Sequence, residues 1–131
     1  MTAWNVTLQP PPPSWNNSYR IGTQYRTKAD GTNQRFSTII KREKLTLWQA
    51  QQLLVVRSAR PSHWQPEGWV RIWWRVFLNR HIDMDNLQKA TNDVIEAATG
   101  VDDKWYLPIF EEAPMIGVPR RDARIELLII G

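Results

Sequence analysis

The chain has 131 residues, no cysteine and a formal net charge of +4, with a pI near 9.8. That length suits one domain with a real core, spanning residues 1–131, and leaves little room for a second. Disulfide and thiolate-metal chemistry are excluded, and no apolar run approaches the roughly 18 residues of a membrane helix, so a soluble cytoplasmic protein is expected.

Residues 3–9 alternate as a first strand. The prolines at 10–13 then forbid helix and ladder alike, which predicts a rigid extended connector into Ser14, Trp15, Asn16, Asn17 and Ser18. Asp30-Gly31 lies between residues 25–28 and 35–40 and predicts a hairpin whose loop is longer than two residues. Thr46 can cap a helix to about Ser58, with Leu47, Ala50, Leu54 and Val55 as the face packed on a sheet and Pro61 blocking extension.

Residues 69–78 alternate as a long strand, with Val70, Ile72, Trp74, Val76 and Leu78 on one face and Arg71, Trp73, Arg75 and Phe77 on the other. The second face can contact phosphates and stack on bases. It can equally be an ordinary sheet face with arginine stems lying on aromatic rings, which is the plainer reading. A second helix is predicted from Asn86 to about Glu96, capped by Asp85, with Leu87, Ala90, Val94 and Ile95 as its buried stripe. Residues 124–130 close the chain as a strand. The expected class is α+β, a small mixed α/β sheet packed with two main helices.

The basic balance favours polyanions, nucleic acid first. Within that basic chain Asp83, Asp85, Asp93, Asp102 and Asp103 crowd one window. Clustered carboxylates repel, and a bound divalent cation is the simplest way to offset the repulsion. Asp83 and Asp85 leave the long strand in an extended stretch, where alternate residues point the same way about 7 Å apart. Magnesium or manganese takes only a few carboxylates and keeps its other positions for water and a substrate phosphate. Lys89 lies one helical turn beyond Asp85, where its ammonium can reach that phosphate, and Asp93 repeats the spacing and can pair with Lys89. Asp103 can join only if the second helix stops near Ile95 or Glu96, because a longer helix travels farther than the next few residues can return.

Other schemes fail on their own terms. A calcium loop would need glycine and glutamate where Gln88 and Val94 stand. His63 and His81 are too few and too far apart for zinc, and no nucleophile elbow is present.

The run Asp83-Met84-Asp85-Asn86-Leu87-Gln88-Lys89, followed by Asp93 and Asp102-Asp103, resembles the RusA family of Holliday junction resolvases, small endodeoxyribonucleases often carried by phages and prophages. Pro12-Pro13-Ser14 with Asn16 and Asn17, and the closing Arg124-Ile125-Glu126-Leu127, extend the likeness over most of the chain. The resemblance implies a homodimer that binds four-way or otherwise branched DNA and nicks two strands symmetrically in recombination and repair, using Mg2+ or Mn2+. It assigns metal binding to Asp83, Asp85 and Asp103 and catalysis to Lys89 with them, with Asn86, Asp93 and Asp102 in support. Arg71, Arg75, Arg80, Asn16, Asn17 and Arg20 are the DNA-contact candidates. Residues 25–45 have no clear counterpart in the family, and Lys104-Trp105-Tyr106-Leu107-Pro108 is bulkier than the plain strand expected there.

Two rivals stand beside this reading. One is a non-catalytic, structure-selective DNA-binding module. The other is an assembly protein whose eight tryptophans form a partner surface.

Overall fold

The computed structural model describes residues 1–14 and 19–131, and the side chains of all of these except 19, 20, 22–24 and 36–41. Its spine is β4 (Val70–Leu78), in which the expected alternation holds residue by residue: Val70, Ile72, Trp74, Val76 and Leu78 are buried, and Arg71, Trp73, Arg75 and Phe77 face away from them. Strand β7 (Arg124–Ile130) runs antiparallel beside it, with Trp74 opposite Leu127, and β1 (Ala3–Leu8) runs antiparallel beside β7. On the other flank β5 (Tyr106–Ile109) and β6 (Met115–Ile116) pair with β4 in parallel, so the sheet is mixed.

A separate antiparallel hairpin, β2 (Tyr19–Thr27) with β3 (Asn33–Lys41), extends beyond the segments expected around Asp30-Gly31. Its turn places Gly31 at φ 85, in the left-handed region that a side chain resists. The Asp30 carboxylate accepts the Thr32 backbone N–H at 2.9 Å.

Helix α1 (Glu43–Ala59) begins earlier than Thr46. Arg42 is its N-cap, without a side-chain cap bond, and Thr46 lies in the first turn. The buried side is also the opposite of the one expected. Leu45, Trp48, Gln52 and Val56 enter the core, while Leu47, Leu54 and Val55 are 58%, 65% and 40% exposed. Both stripes have helical spacing, so the choice is made by tertiary partners. The Trp48 indole donates to the Pro10 carbonyl at 2.8 Å, and Gln52 Nε2 donates to the Gln9 carbonyl at 3.2 Å. Only this side of the helix can satisfy those backbone acceptors beyond the end of β1.

Helix α2 (Met84–Thr99) is longer than expected at both ends. Asp83, rather than Asp85, is the cap: its side chain accepts the Asp85 backbone N–H at 2.9 Å. Gly100 stops the helix at φ 76, returning its N–H to the Glu96 carbonyl at 2.8 Å. Leu87, Ala90, Val94 and Ile95 are buried as expected, joined by Thr91, Ala98 and Thr99.

The helices pack on each other and close with one sheet face into a single core, which makes the fold α+β. Trp4, Trp48, Trp64 and Trp74 lie inside that core and are unavailable to a partner. No helix among the described residues is long and apolar enough to cross a membrane.

Candidate active site

Strand β4 ends at Leu78, and the chain turns sharply because the segment before β7 grips it. The Leu78 carbonyl accepts the N–H groups of Gly117 at 2.8 Å and Val118 at 3.2 Å, and Asn79 Nδ2 donates to the Val118 carbonyl at 3.0 Å. Arg80, His81 and Ile82 then lead directly into the Asp83 cap. Asp83, Asp85 and Lys89 are exposed, and Asn86 and Asp93 are half-buried. Capping commits one oxygen of the Asp83 carboxylate and holds the group in place at the helix entrance. Asp85 and Lys89 follow on the outer side of the same helix, one turn apart. The extended stretch expected to aim Asp83 and Asp85 the same way is not formed, because Asp83 caps α2 and Asp85 already lies in its first turn, where side chains two apart do not share a face. In number and type the two carboxylates still match what a magnesium ion ordinarily takes from a protein.

Asp103 does not join them within one chain. With its end at Thr99, α2 carries the chain about 24 Å from Met84, and four residues return at most about 13 Å. The parallel register is decisive, since Tyr106 stands opposite Val70 at the beginning of β4, whereas Asp83 follows the strand's far end. The early helix stop that Asp103 required is absent because Gly100, not Glu96, turns the chain. Among the described residues no group of three or more His, Asp or Glu side chains stands close enough to hold a metal ion.

Asp102 has a structural task at that distant end, capping the short turn Asp103–Trp105 by accepting the Lys104 N–H at 2.9 Å. The buried Tyr106 hydroxyl donates to the Val101 carbonyl at 2.7 Å, and its burial pushes the phenol well above its ordinary pKa. Partial desolvation, followed by the charges of Asp103, Asp102 and Asp93, raises the Glu96 carboxyl above its usual range.

The DNA-contact candidates divide. Arg75 lies 3.5 Å from Glu126, and Arg124 lies 2.9 Å from the same carboxylate. Both guanidinium groups sit over Phe77, at 5.6 Å and 4.0 Å from its centroid. The plainer reading of this face therefore describes Arg75, while Arg71 is exposed beside it. The side chain of Arg20, and Asn16 and Asn17 altogether, lie outside the described residues.

Sequence reasoning missed two acidic residues beside the first turns of α2. Glu111 and Glu112 come from the loop after β5 to line a cavity of about 400 Å³ with Met84 and Gln88 of α2. On another side, a groove of about 320 Å³ is walled by the prolines at 10–13 and by Arg80, Ile82 and Arg120. Arg120 is remote in sequence, and the signal that finds it is pairing: the antiparallel register sets Arg124 opposite Phe77, which brings the start of β7 to the end of β4. No protein-family model matches the chain, and no curated protein matches it.

Proposed function

We propose that the chain is a divalent-metal endodeoxyribonuclease of the RusA-like kind, which nicks four-way and related branched DNA in symmetric pairs as a homodimer during recombination and repair. The observation that carries this reading is that Arg80 and Arg120 line one groove reaching Ile82, directly before the Asp83 cap, with Asp85 and Lys89 following on the helix that Asp83 opens. Carboxylates for a cation and cations for phosphates are the two halves of a phosphodiester-cleaving site.

Asp83 and Asp85 would hold Mg2+ or Mn2+, which when bound neutralises charge on the phosphate and lowers the pKa of water. Asp83, fixed by its capping bond, offers its second oxygen in a set direction. Lys89 places an ammonium one turn along, where it stabilises negative charge gathering on the reacting phosphate. Asp93, a further turn along, orients Lys89, and Asn86 supports the first turn of α2. Asp103 enters this scheme only from a second copy, since within one chain it stands at the other end of α2. A two-fold dimer would also supply the two identical sites that paired cuts require.

The test is Asp85→Asn on a synthetic four-way junction, with loss of magnesium-dependent nicking and retained junction binding expected. The separation of Asp103 from Asp83 and Asp85 favours the second reading, a non-catalytic DNA-binding module. That reading requires salt-sensitive junction binding with no cleavage in any metal.

A further inference from the structure

We infer that the groove between the proline run and the short turn Arg120–Asp122 is a phosphate-binding track for one DNA strand, with Arg80 and Arg120 as its anion contacts. It rests on the proposed reading only in taking DNA as the polyanion.

Among the described residues the lining is basic and free of carboxylates. Prolines 10–13, Ser14, Leu78, Asn79, Ile82 and Ala123 accompany the two arginines, and among the described residues neither Arg80 nor Arg120 is in an ion pair. In this they differ from Arg75 and Arg124, which Glu126 compensates. A guanidinium offers a planar fork of donors to phosphate oxygens, and proline has no N–H of its own, so recognition here falls to the side chains. A narrow positive groove with apolar walls suits a sugar–phosphate backbone read without sequence preference.

The walls are preorganised. Gln9 bridges them: its side chain donates to the Arg121 carbonyl at 2.6 Å, while its own carbonyl accepts Gln52 Nε2 from α1. Trp48 holds the Pro10 carbonyl from the same helix. A track fixed in this way loses little conformational freedom when a strand enters. Its location gives it a purpose, because Ile82 lines the groove and the next residue is the Asp83 cap. A strand lying in the track is thereby led to the carboxylate pair.

The test is junction binding against salt concentration in chelator, for the full chain and for Arg80→Gln, Arg120→Gln and the double variant. Arg120→Lys keeps the charge, and Arg57→Gln controls for a basic residue of α1 outside the groove. Each glutamine variant is expected to bind several-fold more weakly, whatever the DNA sequence, and to flatten the log–log salt slope by about 0.7 to 0.9. Arg120→Lys should keep the wild-type slope, and Arg57→Gln should change neither quantity. Wild-type affinity and slope in both single variants and the double variant would overturn the inference. Arginine-dependent binding without cleavage would leave the track standing and remove the nuclease reading. Cleavage with unaltered variant binding would do the reverse, and a wild-type chain that binds no junction would end both.

Discussion

Asp83 is given two tasks, cap and metal ligand, and substitutions can separate them. Its carboxylate accepts the Asp85 N–H at 2.9 Å at the entrance of α2. Asp83→Ala removes that acceptor and should destabilise the fold by about 1 kcal/mol. For a chain of 131 residues, an unfolding entropy of about 2.1 cal/mol/K per residue converts this into a Tm roughly 4 °C lower. Asp83→Asn keeps an acceptor and forfeits only the attraction between a charge and the helix dipole. At an exposed site that amounts to a few tenths of a kcal/mol, or about 1 °C. Asp85→Asn, whose side chain caps nothing, should likewise hold its Tm. Nicking should follow a different order, lost in both asparagine variants despite their near-native melting. The assay pairs thermal unfolding with gel-resolved junction cleavage. An unchanged Tm in Asp83→Ala would refute the capping argument, and sustained cleavage by Asp83→Asn would leave Asp83 as a cap alone.

Leu45→Ala should lower stability by about 2–5 kcal/mol, while Leu54→Ala, on the exposed side of α1, should stay within about 0.5 kcal/mol; denaturant titration of the two variants checks which stripe is buried. Lys89→Ala should slow nicking at saturating DNA more than it weakens binding, read by single-turnover cleavage beside binding in chelator. The Glu96 carboxyl is raised above its ordinary value of 4.5 in the folded chain. The folded form therefore holds that proton more tightly than the unfolded form, and the charged carboxylate lowers stability at neutral pH. Glu96→Gln should raise the Tm at pH 7, with the gain over wild type full above the raised pKa and closing as pH falls below 4.5. A gain independent of pH across paired melting curves would contradict that assignment.

The residues explain which parts of the fold were legible. Strand β4 was read correctly because period-two alternation over Val70 to Leu78 leaves one apolar face and no competitor. Helix α1 offered two stripes, and the one that is buried contains Gln52, which hydropathy argues against. Only the carbonyls of Gln9 and Pro10, supplied by a distant segment, give Gln52 and Trp48 their reason to turn inward. Placing the cap at Asp85 instead of Asp83 is a shift of two residues at a helix entrance, where backbone geometry decides between neighbouring acceptors. Asp103 was drawn to the other aspartates by nearness in sequence, yet a 16-residue helix and a parallel strand carry it to the opposite end of the sheet. Arg120 was invisible for the converse reason, because strand pairing alone brings it to Arg80.

The most direct measurement is the full chain incubated with an end-labelled mobile four-way junction in magnesium, in manganese and in chelator, read strand by strand on a denaturing gel. Symmetric paired nicks with either metal and none in chelator are the expected result. Salt-sensitive binding of the same junction with every strand intact in every metal would contradict it.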